Sequence, residues 1–167
     1  MPYSYAVTAR SRAHPATVFS TLLRASTWPS WSPIDAAGLE DGGDPGTPQG
    51  VGDTRVFRTG RTVSRERIVD LAENRRFGYE NVGGPFRSYQ GTIALAETPE
   101  GGTDIIWTAV FEPKLPLSGP LWRWYLTRFM QRMADGLAAY AEATDADEAE
   151  DADADAPEDA DADTAGA

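Results

Sequence analysis

Cysteine is absent from this chain of 167 residues, and histidine and lysine each occur only once. Without cysteine the chain has no disulfide, no thiolate nucleophile and no Cys-ligated zinc. A single histidine, His14, leaves no material for a histidine metal cluster and is a weak basis for a catalytic triad. We therefore expect no metal site and no cofactor.

Long apolar runs are also missing. No segment approaches the roughly 18 consecutive apolar residues that a membrane-spanning helix needs. The opening residues, MPYSYAVTARSR, lack the apolar region of a signal peptide. We expect no stable membrane insertion and a cytoplasmic location, and no feature indicates an oligomeric state.

The formal net charge is −11, and basic residues are missing from one end of the chain. Residues 1–141 carry 15 Lys and Arg against 14 Asp and Glu, whereas residues 142–167 carry 12 acids and no base. The Ala- and Asp-rich segment offers little apolar surface to offset an ordering entropy of roughly 1–2 kcal/mol per residue. We predict a folded domain over 1–141 followed by a disordered acidic tail over 142–167. Nucleic acid is an unfavourable partner, because the domain is nearly neutral and the tail repels phosphates.

The first third of the chain combines one strand with short helices. Residues 3–10 alternate in the period of two that is typical of a half-buried strand. Pro15 is well placed to open a helix over 16–24, and two Trp three residues apart, Trp28 and Trp31, predict a second short helix or turn. A Gly-, Pro- and Asp-rich loop over 38–52 follows.

The middle of the chain predicts an antiparallel meander, since short segments of alternating character are joined by turns rich in Gly and Asn. The expected strands are 54–59, 62–71, 75–82, 86–97 and 103–112. Ile105, Trp107, Ala109 and Phe111 share one face of the last strand. Ile68 and Val69 are both apolar, so a bulge at this point would reverse the alternation.

Residues 117–141 change to a helical period, with an apolar stripe opposite a polar face. A helix of this length crosses a whole sheet, and only the concave face of a curved sheet buries its stripe. The expected fold class is α+β, a curved antiparallel sheet wrapped around a long C-terminal helix, with two short helices after the first strand. A cavity is expected wherever side chains fail to fill the space between sheet and helix.

Several motifs in this order resemble the SRPBCC superfamily, also called START-like or polyketide cyclase/dehydrase and lipid-transport proteins. The resemblance covers residues 3–141. The motifs are Ala9 to Phe19, Trp28-Pro-Ser-Trp31, Gly50-Val-Gly52, Arg75 to Tyr79, Gly91 to Leu95, Gly101 to Trp107 and Gly119-Pro-Leu121. The resemblance implies a helix-grip fold around an apolar ligand cavity, but it does not select one activity within the family.

Aromatic side chains are the main candidates for ligand binding, because they combine a large apolar area with polar groups that orient a ligand. The alternative is that each ring fills the core. Arg87 joins the candidates because it shares the alternation of Tyr89 and Ile93, and an inward arginine would bind a carboxylate or phenolate. The candidate ligand-binding residues are Trp28, Trp31, Tyr79, Arg87, Tyr89, Trp107, Tyr125 and Phe129.

Other charged residues carry weaker indications. Arg58, Glu66 and Arg87 lie inside strands, and a solvated outer face is the default position for each. For His14, just before Pro15, we expect a capping or surface role. Asp53 flanks a strand end, as does Glu112, and for both we expect a role in a turn or in solvent.

Three functions remain open. The first is binding of a small hydrophobic or aromatic ligand, such as a lipid, polyketide or quinone-like molecule, between sheet and helix. The second is a polyketide cyclase or dehydratase with Glu66, Tyr79 and Tyr89 as candidate acid-base groups. The third is a protein-interaction module, resembling a co-chaperone or a toxin-antitoxin component. A cavity with converging titratable groups favours an enzyme, an apolar cavity a carrier, and a filled core with an exposed apolar patch a protein partner.

Overall fold

A computed structural model describes residues 1–155 of the chain. Seven strands and three α-helices follow one another, with a short 3-10 turn at Ala25–Thr27 before the second helix. Their bounds are β1 Tyr3–Ser11, α1 Pro15–Leu23, α2 Trp28–Trp31, β2 Ala36–Leu39, β3 Thr54–Thr59, β4 Thr62–Ala72, β5 Arg76–Asn81, β6 Phe86–Glu97, β7 Thr103–Pro113 and α3 Gly119–Ala154.

All seven strands form one antiparallel sheet in the order β1-β7-β6-β5-β4-β3-β2. Strands β2 to β7 form a meander, and β1 returns to pair with β7. The long helix α3 packs against β1, α1, α2 and β7. This arrangement confirms the predicted α+β helix-grip fold.

The entry to α1 follows from two residues. His14 is the N-cap, and its Nδ1 accepts a hydrogen bond from the Ala16 backbone N–H at 3.2 Å. Pro15 occupies the first helical position, where its missing N–H costs nothing. The predicted capping role of His14 is confirmed.

The predicted loop over 38–52 contains the end of a strand and is held in place. β2 pairs with β3 at the sheet edge. The buried Gln49 accepts from the Ala25 N–H at 2.9 Å, and its own N–H donates to the Leu23 carbonyl at 2.8 Å. The segment is therefore pinned to the end of α1.

Two irregularities set which side chains face inward. The register of β4 against β5 shifts between Ile68 and Asp70, so Val69 is the additional residue and is exposed. The second shift lies between Phe86 and Ser88, in β6 against β7. The bulge considered at Ile68-Val69 is present.

The C-terminal helix is longer than predicted. We expected it to end at residue 141, but α3 continues to Ala154, so the first half of the predicted disordered tail is helical here. Two of its acids contact other elements: Glu142 accepts from the Arg12 N–H at 2.8 Å, and Asp145 accepts from the Thr17 hydroxyl at 2.6 Å. The rest of the predicted tail, 156–167, lies outside the described residues. Within residues 1–155, no helix has both the length and the apolarity to cross a membrane.

Candidate functional site

A cavity of about 740 Å³ lies between the concave face of the sheet and the N-terminal half of α3. Its wall includes residues of α2, of β3 to β7 and of the β5–β6 loop. This volume falls in the range of small-molecule sites, roughly 300–1,000 Å³.

The cavity opens because α3 uses its apolar stripe in two ways. Towards the C-terminus, Leu137 and Ala141 are buried against the rest of the fold. Towards the N-terminus, Leu121 and Tyr125 line the cavity yet remain 68% and 46% exposed. The stripe therefore closes the core at one end and forms an apolar mouth at the other.

Six of the eight predicted ligand-binding residues line this cavity. All six are aromatic, and they come from α2, three strands and α3. They are Trp28, Tyr79, Tyr89, Trp107, Tyr125 and Phe129.

Trp31 does not line the cavity. It is buried beside Trp28, with ring centroids 4.7 Å apart, and its Nε1 donates to the Thr27 hydroxyl. α3 approaches its backbone so closely that a Cβ on Gly136 would lie 1.8 Å from the Trp31 carbonyl oxygen. Trp31 therefore belongs to the packing of α2 against α3.

Arg87 also lies outside the cavity, so its predicted inward direction is wrong. It is exposed, while Phe86 and Tyr89 on either side of it are buried. The register shift between Phe86 and Ser88 inserts an additional residue, which reverses the alternation that linked Arg87 to Tyr89.

The charged pair at the site is Arg55 and Glu66. Glu66 lines the cavity and is only 8% exposed, whereas the sequence analysis placed it by default on the solvated outer face. Arg55 is fully buried behind it. Nη2 of Arg55 donates to Oε1 of Glu66, and Nη1 donates to the Leu22 carbonyl at 2.8 Å. The sequence interpretation overlooked Arg55, although it shares the alternation of the buried Phe57.

Burial dominates the electrostatics of this pair. Desolvation raises the pKa of Glu66, and the nearby Arg55 guanidinium opposes that rise. Desolvation likewise lowers the pKa of Arg55, against the attraction of Glu66. The guanidinium carbon lies 4.4 Å from the ring centroid of Trp28 and 4.8 Å from that of Phe77, so cation–π contacts add to its stabilisation.

Three tyrosines add hydroxyl groups at the sheet. The hydroxyls of Tyr5 and Tyr89 hydrogen-bond to each other, and Tyr79 accepts from the Trp107 indole N–H at 2.9 Å. Desolvation raises the pKa of Tyr5, Tyr79 and Tyr89 well above the usual range. The Tyr79 ring lies over Gly91, where a Cβ would be 2.2 Å from the ring.

The remaining charged candidates lie elsewhere. Arg58 is exposed, and the Asp53 carboxylate accepts from the Gly50 N–H at 2.7 Å within its turn. Glu112 lies 4.0 Å from the N-terminal ammonium of Met1. The described part of the chain contains no group of three or more His, Asp or Glu side chains arranged to hold a metal ion.

The cavity is thus apolar on the helix side and carries hydrogen-bonding groups on the sheet side. A bound molecule would contact aromatic rings and methionines along most of its surface. The carboxyl and phenol groups can fix its orientation.

Comparison with known proteins agrees with this architecture. The model of the family described as polyketide cyclase/dehydrase and lipid transport matches residues 3–142. No curated protein gives a significant match.

Several solved structures share the fold at low sequence identity. A START superfamily protein from Mycobacterium smegmatis is similar with a TM-score of 0.70 and 18% identity, over 84% of this chain and 98% of that one. A protein from Nitrosospira multiformis is similar with a TM-score of 0.65 and 18% identity, over 82% and 94%. Ara h 8.0201 is similar with a TM-score of 0.65 and 15% identity, over 86% and 99%.

Proposed function

Since this chain belongs to the polyketide cyclase/dehydrase and lipid-transport family, we propose that it binds a small hydrophobic or aromatic ligand between the sheet and α3. The observation that carries the proposal is the 740 Å³ cavity with its lining of aromatic and aliphatic side chains. Burying apolar ligand surface against such a lining is favourable by roughly 25 cal/mol per Å² before the costs of association are subtracted.

The position of the mouth supports ligand exchange with solvent. Leu121, Trp124 and Tyr125 are exposed at the entrance on α3, and the Gly83-Gly84-Pro85 turn faces them across it. Both glycines have positive φ, of 82° and 78°, which a turn of this kind requires. An open entrance with this lining favours a ligand site over the filled core that a protein-interaction module would have.

Native mass spectrometry of the full chain purified from its own host tests the proposal. We expect a co-purified small molecule, and a rise in melting temperature when a panel of lipids and polyphenols is added. Met130→Trp should abolish both effects, because Met130 is buried in the cavity wall. Val110→Trp is the matched control, since Val110 lies 53% exposed in β7 and outside the lining. Absence of any bound molecule together with no thermal shift would refute the proposal.

A cyclase or dehydratase is the second candidate, and Glu66 is the observation that favours it. A cavity carboxyl with a raised pKa is suited to hold and return a proton at a ligand carbonyl. Incubation with a linear 1,3,5-triketone, followed by product analysis, tests this candidate. We expect Glu66→Gln to stop conversion while the triketone still binds; unchanged turnover in that variant would remove Glu66 from the reaction.

A further inference from the structure

The polar groups of the cavity lie together on one wall. Glu66 faces Asn81 across the β4–β5 register, and Tyr79 lies one diagonal step away on the same face of the sheet. Tyr89 continues this wall on β6. The opposite wall, from α3, is apolar and includes Leu126, Phe129, Met130 and Met133.

Glu66 retains hydrogen-bonding capacity towards the cavity. Its Oε1 accepts from Arg55, and no other group of residues 1–155 donates to this carboxylate. The Tyr79 oxygen accepts from Trp107, and the Tyr79 O–H lies within hydrogen-bonding reach of Tyr89. The wall therefore offers the Glu66 carboxylate as an acceptor for a hydroxyl of the ligand.

Cationic groups near the cavity are already engaged. Arg55 donates to Glu66 and to the Leu22 carbonyl, is packed against aromatic rings and does not line the cavity. Arg65 lines the mouth, but it pairs with Glu40 at a half-exposed position. An entering carboxylate would meet the Glu66 carboxylate with no free cation beside it, which is unfavourable in a desolvated site.

Building on the proposed function, we infer that the cavity selects a neutral ligand with a hydroxyl group and discriminates against carboxylates. The ligand hydroxyl donates to the Glu66 carboxylate. The rest of the ligand lies against the apolar side chains of α3. The selectivity comes from the polar wall, whereas most of the affinity comes from the apolar one.

Three probes with one ring system test the inference: 1-hydroxypyrene, 1-methylpyrene and 1-pyrenecarboxylate. Energy transfer from tryptophan to pyrene reports binding, because Trp28 and Trp107 line the cavity. We expect 1-hydroxypyrene to bind about tenfold more tightly than 1-methylpyrene, as a well-made hydrogen bond to a buried charged group provides. The carboxylate should be the weakest of the three.

Variants assign the preference to the polar wall. Glu66→Gln keeps an amide oxygen that accepts from Arg55 but replaces the charged acceptor that faces the ligand. This variant should reduce the preference for 1-hydroxypyrene over 1-methylpyrene to less than about threefold, with 1-methylpyrene affinity unchanged. Ser88→Ala, at an exposed position of β6, is the control and should retain the wild-type order.

Binding of the three probes to the wild-type protein tests the hydroxyl selectivity separately from the proposed function. This comparison remains valid even if a variant fails to fold. Equal affinities for all three probes, or tightest binding of 1-pyrenecarboxylate, would leave the cavity as a ligand site and overturn the hydroxyl selectivity. Failure of every probe to bind would count against both.

Discussion

At the scale of single residues, Arg55 has the most demanding environment at the site. Its side chain is fully buried, contacts aromatic rings and has one carboxylate partner, Glu66. Its Nε is buried without a hydrogen-bond partner in the described chain. The pair therefore tolerates little loss of its remaining contacts, because a buried charge without a partner is strongly destabilising.

Arg55→Met should lower the free energy of unfolding by about 3–5 kcal/mol, since it leaves Glu66 as an uncompensated buried carboxylate. The double variant Arg55→Met/Glu66→Leu should recover most of that loss, because it removes both charges. Urea unfolding of the two variants measures the difference. Arg58→Met, on the exposed face of the same strand, is the control. A loss in Arg55→Met no larger than in that control would contradict the role of the pair.

The buried phenols predict an alkaline instability. Desolvation raises the pKa of Tyr5, Tyr79 and Tyr89, so the native state retains three protons that the unfolded chain releases near pH 10. Their contribution to stability is complete below that pH and is lost as the pH rises above it.

A phenolate absorbance titration checks this prediction. In the native protein, Tyr89→Phe should leave the phenolate absorbance unchanged at every pH below that of unfolding. In denaturant it should lower the total phenolate absorbance by the contribution of one of the six tyrosines. A smaller native amplitude in Tyr89→Phe would show that Tyr89 ionises in the folded protein.

At the scale of elements, the contact of α2 with α3 depends on a glycine. Alanine normally stabilises a helix interior by roughly 0.5–1 kcal/mol relative to glycine. At Gly136 the added Cβ would meet the Trp31 carbonyl oxygen at 1.8 Å, so the helices must separate. We expect Gly136→Ala to lower stability by about 1–3 kcal/mol, as overpacking does. Thermal unfolding measures this change, and a stabilised variant would show that α2 moves away freely.

The C-terminal extension of α3 predicts a second element-scale effect. Asp145 accepts from the His14 N–H at 3.3 Å and from the Thr17 hydroxyl, so it places a carboxylate at the N-terminus of α1. Anions are favourable there because the first helical N–H groups lack partners. Asp145→Ala should cost about 1 kcal/mol, the usual value for a lost cap.

Differential scanning calorimetry tests the role of this carboxylate. Asp147→Ala, exposed on the same helix, should be neutral. Truncation after residue 143 should reproduce the loss, whereas truncation after residue 155 should not. Equal melting temperatures for all of these proteins would contradict the anchoring of α3 to α1.

Local sequence patterns were sufficient to predict most strands, but they did not predict every element. Alternation and turn residues predicted β3 and β6 with the observed bounds. β2 was not predicted, since Ala-Ala-Gly-Leu has little strand propensity and its pairing with β3 is a tertiary contact. The end of α3 was misplaced for a related reason: its acids contact the β1–α1 connection and the start of α1 across about 130 positions of sequence, which composition cannot reveal.

On the strands, the candidate site was predictable only where the alternation of side chains is regular. Tyr79, Tyr89 and Trp107 were found because their strands keep one face inward. Arg87 was misassigned because it is the additional residue of a bulge, and the bulge is set by the pairing of β6 with β7. The partner of Glu66 was overlooked, since a pairing between neighbouring strands becomes visible only once their register is known.

At the scale of the whole molecule, one continuous apolar core is well packed at one end and open at the other. Leu126 and Leu137 lie on the buried side of the same helix, with 8% and 0% exposure. Leu126 lines the cavity, whereas Leu137 does not. Protein interiors are normally close-packed, so an open region of this size is maintained at some cost in stability.

The same substitution at the two leucines distinguishes a position in the open cavity from a position in the packed core. Leu126→Phe should be neutral or stabilising, because the larger ring gains contacts in open space, and it should weaken binding of 1-hydroxypyrene by occupying that space. Leu137→Phe should lower stability by about 1–3 kcal/mol through overpacking. Urea unfolding and the pyrene titration measure both effects. Comparable destabilisation at the two positions would mean that the chain closes around Leu126 in solution, and with that closure the space assigned to the ligand would be lost.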